Sequence, residues 1–325
     1  MTDSMRVFDR DLVRARRDRA AAKLAQFDFL LQEAASRLTD RLLDVTRDFP
    51  RALDLGCHTG QVAAALSDPT TAGRPKIGPP KIGFLIQADI SQRMADLART
   101  RTAWPTITAD EEFLPFADNA LDLVLSNLSL HWVNDLPGAL AQIRRALRPD
   151  GLFLATMFGG ETLRELRSAL LEAEAETTGG VAPRVSPFTD VRDAGNLLTR
   201  AGFALPVVDS DIITVTYADM FKLMADLRAM AETNAVLERR KIPTRRTTFL
   251  RAAEIYRRNF ADARGRLTAS FQIITMTAWA PHASQQKPLR PGSATTRLAD
   301  ALQTSEISLG ESTPFSAGRG GKKIP

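Results

Sequence analysis

A glycine-containing loop is the first part of the sequence whose residue types and spacing could do chemistry. A short apolar segment leads into Asp54-x-Gly56-x-x-x-Gly60 and then into a helix-like pattern. Glycine lets the backbone pass close to a bound ligand, and the first turn of a helix offers unpaired N–H groups. A strand, such a loop and a helix are together typical of sites that hold an adenosine-containing ligand at the edge of a parallel sheet.

His58 stands inside this loop, where the pattern usually has its middle glycine. A side chain there must point away from the ligand or accept a backbone conformation that most L residues avoid. We interpret His58 first as a tolerated exception, second as a direct contact with the cofactor, and third as a catalytic or metal-binding group. Replacing it with glycine and measuring cofactor affinity distinguishes these interpretations.

Acidic residues follow the next two predicted strands. Asp89 ends the second strand, where a carboxylate can accept hydrogen bonds from both hydroxyls of a ribose. Asp110 and Glu111 follow the third strand, where a carboxylate can accept from an adenine amino group. Together with Asp54, these acids would repel a pyrophosphate. The pattern therefore predicts S-adenosylmethionine, a cofactor with a cationic centre and no phosphate.

The predicted cofactor contacts include neighbours of these residues. The full predicted set is Asp54, Gly56, Cys57, His58, Gly60, Asp89, Ile90, Asp110, Glu111 and Asn127. His131 and Trp132 follow the fourth predicted strand, at the edge where substrates bind in such folds. His131 is the candidate general base. Core packing of Trp132 and a hydrogen-bonded, structural His131 stay open as the alternative.

These side chains need a framework that brings several strand ends together. Between residues 51 and 157, short apolar strands alternate with amphipathic helices. This alternation predicts parallel strands joined by right-handed crossovers. We therefore predict an α/β fold with a Rossmann-like, doubly wound, mostly parallel seven-stranded sheet.

Composition and periodicity divide the rest of the chain. We predict N-terminal helices at 1–48 that form a cap and end at Pro50, a main domain at 49–282 with a helical insertion at about 217–262, and a disordered tail at 283–325. The Pro- and Gly-rich stretch at 67–83 predicts an exposed loop without a role in chemistry.

Cysteine and histidine are scarce. The 325 residues include one cysteine, Cys57, which excludes an internal disulfide. The three histidines, at 58, 131 and 282, form no local ligand pair, so we expect no metal site. Apolar segments are too short to cross a membrane, and the N-terminus lacks a secretory pattern. We expect a bacterial cytoplasmic protein, with peripheral attachment to the inner membrane as an open alternative.

The positive charge is concentrated late in the chain. Residues 239–281 carry ten Lys or Arg against two acids. Base-stacking aromatics are missing from this basic run, so we expect no nucleic-acid partner. The basic region at 239–266 fits docking on an acidic protein or weak association with an anionic membrane surface. A solvated helix face is the alternative interpretation.

Several longer segments carry a resemblance to known proteins. They are "ALDLGCHTG", "QADIS", "ADEEFLPFADNALDLVLSNLSLHWVNDLPGAL", "LRPDGLFLATMFGGETLRELR" and "SPFTDVRDAGNLLTRAGF". Together they resemble the class I S-adenosylmethionine-dependent methyltransferase superfamily. Most of the chain, from Phe8 to about Thr295, is similar to the arginine-hydroxylase, complex I assembly factor family of mitochondria and alphaproteobacteria, with "LSLHWVNDLP" and "MFGGETL" as its more specific motifs. A looser likeness is to the malonyl-carrier-protein methyltransferases of biotin synthesis.

The resemblance implies an enzyme that binds S-adenosylmethionine and modifies a protein side chain. The implied partner is the respiratory complex I subunit that holds a terminal iron–sulfur cluster. Methyl transfer, which needs in-line positioning and a base, and arginine hydroxylation both stay open. So do a non-catalytic assembly chaperone and a carboxyl methyltransferase of the biotin-synthesis type.

Overall fold

The computed structural model describes residues 6–67, 82–286, 293 and 296–305. The chain divides into two units, Met1–Ala283 and Ser284–Pro325. The first unit holds a mixed sheet with helices on both faces. Within the described residues of the second unit, a four-residue helix, α10, spans Leu298–Ala301.

One sheet contains all seven strands of the described residues. They are β1 (Phe49–Leu55), β2 (Ile82–Asp89), β3 (Thr106–Thr108), β4 (Leu121–Asn127), β5 (Leu147–Phe158), β6 (Ala204–Tyr217) and β7 (Leu267–Trp279). Their order in the sheet is β3-β2-β1-β4-β5-β7-β6. The first five strands pair in parallel, and β7 runs antiparallel to both β5 and β6. The predicted doubly wound, mostly parallel, seven-stranded sheet is confirmed.

Helices surround this sheet. They are α1 (Arg10–Ala20), α2 (Phe29–Leu42), α3 (Gln61–Leu66), α4 (Gln92–Thr102), α5 (Leu136–Ala146), α6 (Arg164–Thr178), α7 (Val191–Arg200), α8 (Met220–Ala229) and α9 (Arg246–Phe260), with short 3-10 helices at Ala21–Gln26 and Leu130–Trp132. Because helices cover both faces, the central strands are apolar on both sides. In β4, Leu123 and Leu125 pack into one core cluster and Val124 into another.

Side-chain caps fix the helices that begin near the sheet edge. Asp9 accepts a hydrogen bond from the Leu12 N–H at 3.0 Å, which starts α1. The Ser91 hydroxyl accepts one from the Met94 N–H at 3.1 Å, which starts α4 directly after Asp89. Each such cap contributes about 1 kcal/mol.

The direction of winding reverses between β1 and β4. From β1 the chain builds the sheet outward through β2 and β3, and from β4 it builds the other way through β5. In open α/β sheets, ligands bind in the crevice at the carboxyl ends of the strands at such a point. The loop after β1 and the residues after β2, β3 and β4 meet there.

The structure differs from the sequence prediction at the end of the N-terminal helices. The N-terminal helices do not run to Pro50: α2 ends at Leu42, and Pro50 is the second residue of β1. Proline is tolerated there because it lies at the start of the strand, outside the ladder of central hydrogen bonds. The predicted loop at 67–83 and most of the predicted tail lie outside the described residues. No helix in the described part of the chain is long and apolar enough to cross a membrane.

Candidate cofactor and substrate site

The loop after β1 turns sharply at the carboxyl edge of the sheet. Gly56 and Gly60 have φ angles of +72° and +86°, in the left-handed region that favours glycine. The Gly56 N–H donates to the Ala88 carbonyl oxygen at 2.8 Å, which ties the loop to the end of β2. A Cβ on Gly56 would lie 2.1 Å from Ser129 Oγ. A larger residue would therefore have to push Ser129 aside.

Asp54 lies near the carboxyl end of β1 with its side chain fully buried. Neither of its carboxylate oxygens has a hydrogen-bond partner. Burial, together with the nearby charge of Asp89, raises the pKa of Asp54 to about 8. A buried carboxylate without a partner is costly and is stabilised by a cation. Asp54 therefore offers a place for a positively charged group.

His58 has a φ of +49° and is 2% exposed. Its N–H donates to Asp89 Oδ2 at 3.0 Å. Its Nε2 lies 3.0 Å from the Asn127 carbonyl oxygen, which can only accept, so Nε2 carries the proton. Burial and the charge of Arg17 lower the pKa of His58. The backbone N–H of His58 thus ties the loop after β1 to the end of β2, and its neutral ring ties the loop to the end of β4.

We expect His58→Gly to lower the free energy of unfolding by about 1–3 kcal/mol, since a hydrogen bond is lost and a cavity replaces the ring. Relief of the left-handed backbone strain offsets about 1 kcal/mol of this. Affinity for S-adenosylmethionine should change less than about threefold, because the contacts of His58 are made to the protein itself. Chemical denaturation and calorimetric titration measure the two quantities. An affinity loss above about tenfold would make the ring a cofactor contact.

Asp89 is fully buried, and both of its oxygens are already engaged. Oδ1 accepts from the Ser91 N–H at 2.8 Å. Oδ2 accepts from the His58 N–H and, at 3.1 Å, from Nη1 of Arg17. Arg17 belongs to α1 and is 1% exposed. A ribose that binds Asp89 therefore has to share or replace this guanidinium.

A second arginine of α1 holds the acids that follow β3. Nη2 of Arg10 lies 2.5 Å from Asp110 Oδ1 and also pairs with Glu111. Glu111 is fully buried and accepts from Ser129 Oγ at 2.5 Å. Burial alone would raise the pKa of Glu111, but Arg10, Arg17 and the Ser129 hydroxyl outweigh it and hold the pKa at about 2. The edge is thus an ionised network closed by α1.

The 3-10 turn after β4 contacts a carboxylate from the segment after α8. Glu232 Oε2 lies 3.1 Å from His131 Nε2 and accepts from Trp132 Nε1, also at 3.1 Å. Burial would raise the pKa of Glu232, but His131 and Arg17 lower it below its ordinary value. His131 is packed against the rings of Trp132 and Phe158, and its Nδ1 is buried without a partner. Glu232 is therefore a buried, ionised group.

A cavity of about 280 Å³ lies beside this carboxylate. Trp132 and Glu232 line it, together with an apolar wall that includes Leu163, Leu166 and Phe188. Among the described lining residues, Glu232 is the one carboxylate. The volume is just below the range of about 300–1,000 Å³ for small-ligand sites, so we compare it with the size of a single side chain.

The structure brings most of the predicted cofactor residues to one edge. Cys57 and Ile90 are buried beside the loop and Asp89, whereas Asp110 lies at the outside with 27% of its side chain exposed. Asn127 is also buried, but its side-chain amide bonds to the Leu31 carbonyl and the Thr156 hydroxyl. Within the described ranges, no three His, Cys, Asp or Glu side chains are grouped to hold a metal ion.

This arrangement fits an adenosyl cofactor with a cationic amino group. The unpartnered carboxylate of Asp54 can receive the amino group, and the left-handed conformations of Gly56 and Gly60 turn the backbone sharply at this edge. Binding of the ribose to Asp89 requires a rearrangement, because Arg17 already forms an ion pair with this carboxylate. The residues that would hold the cofactor are therefore present, and Arg10 and Arg17 of α1 balance the charge of the acids among them.

Three functional residues escaped the sequence prediction. Arg17 lies seven residues after Arg10, two helical turns along, on the face that buries Val13. That spacing was a usable signal. Ser129 and Glu232 had none, because their importance comes from contacts with residues far away in the chain.

The chain was compared with known proteins. Residues 53–155 match the family described as methyltransferase domain. The human protein named arginine-hydroxylase NDUFAF5, mitochondrial, is 45% identical over 300 residues, which cover 91% of this chain and 84% of the human one. The malonyl-[acyl-carrier protein] O-methyltransferase of Xylella fastidiosa (strain M23) is 37% identical over 280 residues, 85% of this chain and 89% of that one.

A solved structure agrees with the fold. Phosphoethanolamine N-methyltransferase 2 of Haemonchus contortus, in complex with S-adenosyl-L-methionine, superimposes with a TM-score of 0.50 at 15% identity, over 83% of this chain and 60% of that one. At this identity the likeness concerns the fold alone. With the strand order, the glycine loop and the 45% identity to the human protein, the chain belongs to the arginine-hydroxylase NDUFAF5 family and has the class I methyltransferase fold.

Proposed function

We propose that this protein is an S-adenosylmethionine-dependent enzyme that modifies an arginine side chain of another protein. The 45% identity to the human arginine-hydroxylase supports the choice of substrate residue. The observation that carries the proposal is Glu232, a buried and ionised carboxylate in the wall of a cavity that suits a single side chain. A carboxylate of this kind is the natural partner of a guanidinium.

The cofactor, when bound, supplies an electrophilic methyl group on a sulfonium. Asp54 receives its amino group, and Gly56 and Gly60 let the backbone lie close to it. Asp89 accepts from the ribose hydroxyls and Asp110 from the adenine amino group. These roles follow from the place of each acid at a strand end.

On the substrate side, Glu232 orients the guanidinium. Its Oε2 is taken by His131 and Trp132, which leaves Oε1 for the substrate. His131 keeps this carboxylate in place. Its ring is fully buried and is not part of the cavity lining, and its unpartnered Nδ1 is the proton acceptor that we propose. His131 is thus the general base of the proposal, acting beside Glu232.

We expect Glu232→Gln to raise the KM for an arginine-containing peptide about tenfold, because a neutral amide loses the charge-assisted bond to the guanidinium. The reaction rate at saturating peptide should fall less. Glu238→Gln, an exposed residue six positions further on, is the matched control and should leave the KM unchanged. Equal effects of the two substitutions would contradict a role for Glu232 in substrate binding.

The proposed protein partner is the complex I subunit that carries a terminal iron–sulfur cluster. The test incubates the protein with S-adenosylmethionine and this subunit and then measures the mass of the arginine-containing peptides. Hydroxylation consumes dioxygen and two electrons, so oxygen and an external reductant are included. A gain of one oxygen supports hydroxylation and a gain of one methylene supports methyl transfer. Unchanged mass with stable binding would favour an assembly chaperone.

Carboxyl methylation is the second candidate function. Five arginines line the cavity, and this charge favours an acceptor that is itself a carboxylate. The relative from Xylella fastidiosa is named as a methyltransferase of such an acceptor. Incubation with a malonyl thioester and S-adenosylmethionine tests this function, and formation of a methyl ester would support it.

We also propose weak association of the basic region at 239–266 with an anionic membrane surface. In α9, Arg246 and Arg257 are exposed, whereas Arg251 and Arg258 pair with acids of α6. The test variant replaces Arg245, Arg246, Arg257 and Arg258 with glutamine. Each free basic residue near the surface contributes about 1 kcal/mol, so binding to vesicles with anionic lipid should weaken markedly. Co-sedimentation at low and high salt measures it, and undiminished binding would contradict the proposal.

A further inference from the structure

The mouth of the cavity carries an excess of positive charge. We call its five lining arginines the arginine rim: Arg16, Arg184, Arg228, Arg239 and Arg240. Three of these arginines form ion pairs, and the ion pairs involve two carboxylates. Arg184 and Arg240 share Glu174, at 2.5 and 3.3 Å, and Arg239 pairs with Asp9 at 3.3 Å. With Glu232 in the cavity wall, five guanidinium groups therefore face three carboxylates.

Arg16 shows where this charge is least compensated. Its Nη1 donates to the carbonyl oxygens of Thr233 and Asn234, at 2.7 and 2.8 Å, and these are neutral groups. Burial lowers the pKa of Arg16, and the charges of Arg239 and other neighbouring arginines lower it further, whereas the charge of Asp9 partly opposes them. Arg228 is exposed, and among the described residues it has no ion pair. The rim is therefore a site of positive potential beside the cavity.

The volume of the cavity limits which parts of a protein substrate can reach the arginine rim. The cavity of about 280 Å³ suits one side chain, so the residues on either side of that side chain must stay outside. Arg228 is exposed, and Arg239 and Arg240 are half-buried, so all three are within reach of such flanking residues. Carboxylate side chains at these flanking positions would neutralise the rim.

We propose that the arginine rim binds acidic residues of the protein substrate that flank the side chain entering the cavity. This inference rests on the proposed function in one respect, namely that the substrate is a protein. Glu232 and the rim then divide the recognition: the carboxylate binds the cationic side chain, and the guanidinium groups bind its acidic neighbours. The surplus of arginines around one carboxylate is explained by this division.

The test uses four fluorescein-labelled peptides of one length, with arginine or glutamine at the centre and glutamates or glutamines on both sides. Fluorescence anisotropy measures their binding to the full chain with S-adenosylhomocysteine. We expect the glutamate-flanked peptides to bind about tenfold more tightly than the glutamine-flanked ones, because glutamate forms charge-assisted hydrogen bonds with the arginines. This difference should shrink as salt screens the charges.

Substitutions of the rim give the second measurement. Arg16→Gln and Arg228→Gln should each remove most of the preference for glutamate flanks, and Arg228 is exposed, so its substitution should leave the fold intact. Arg14→Gln is the matched control, because Arg14 is on the same helix but pairs with Asp11 at the surface. It should keep the full preference.

The outcomes separate this inference from the proposed function. A preference for glutamate flanks that ignores the central residue would support the rim and contradict arginine as the modified residue. A preference for central arginine with equal flanks would overturn the rim and leave the proposed function standing. The proposed role of the arginine rim would also be overturned if no peptide bound, or if Arg14→Gln reduced the preference for glutamate flanks as much as the rim substitutions do. It would likewise be overturned if a malonyl thioester displaced the bound peptide and this displacement required Arg16.

Discussion

Arg17→Met is expected to lower the free energy of unfolding by about 3–5 kcal/mol, the cost of leaving a buried ion network without one of its partners. Arg17 bonds to Asp89 at 3.1 Å and to Ser129 at 2.9 Å, and it lies 3.4 Å from Glu111. Methionine has a similar length but no charge, so both carboxylates lose a cation that water cannot replace. Urea denaturation near neutral pH measures the effect.

Two further variants test whether the loss of stability comes from the buried ion network around Arg17. Arg14→Met removes a charge from the same helix, but its side chain is 54% exposed, so it should cost less than about 0.5 kcal/mol. Adding Glu111→Gln to Arg17→Met should restore part of the loss, because one uncompensated carboxylate disappears. Strictly additive losses in the double variant would contradict a shared network.

The pH dependence of the Arg17 effect has a defined sign. Glu111 has a folded pKa of about 2, below its ordinary value of 4.5. The stability that its ionised form contributes is fully present above pH 4.5 and is lost as the pH falls from 4.5 towards 2. The difference between wild type and Arg17→Met should therefore shrink over this window. A difference that grows on acidification would contradict the pairing.

Asp54→Asn is expected to weaken binding of S-adenosylmethionine about a hundredfold, since the cationic amino group would lose the buried carboxylate that we assign to it. The same substitution should stabilise the protein without cofactor near neutral pH, because the amide stays neutral when unfolded, whereas the unfolded Asp54 gains the free energy of ionisation. Calorimetric titration measures the affinity, and thermal denaturation without cofactor measures the stability. A loss of affinity accompanied by equal destabilisation would point to a structural role instead.

The sign of the Asp54 effect on stability also follows from its pKa. Below about pH 4 the carboxyl is protonated in both states, so wild type and Asp54→Asn should be similar. Between pH 4 and 8 the unfolded carboxyl is ionised while the folded one, with a pKa of about 8, stays protonated, so wild-type stability falls. The advantage of the asparagine variant should grow up to pH 8 and then level off.

The fold was predictable because its signal is local. Apolar runs such as the one ending at Leu55 mark buried parallel strands, and the positive φ of Gly56 and Gly60 was foreseeable from their place between a strand and a helix. Each of these rests on residues within a few positions of one another.

The site was only partly predictable, because its charges are balanced across long sequence separations. The acids at the strand ends could be read from their positions, but nothing near Asp89 indicated that a helix more than seventy residues earlier would bring Arg17 to it. Glu232 lies in a segment whose methionines and leucines indicate core packing alone. His58 was interpreted first as a tolerated exception, and in the structure it links the loop after β1 to the ends of β2 and β4.

Helix α1 is synthesised long before the groups that its arginines contact. Arg17 precedes Glu111 by 94 residues, and Arg16 precedes Thr233 by 217. At about 5–20 residues per second, a ribosome needs about 10–40 s to cover the longer distance. The helix therefore leaves the ribosome with its guanidinium groups in water and can dock after the sheet edge has formed. Helix α1 can take its place only after these later residues have been translated, and until then the growing chain carries an open acidic edge.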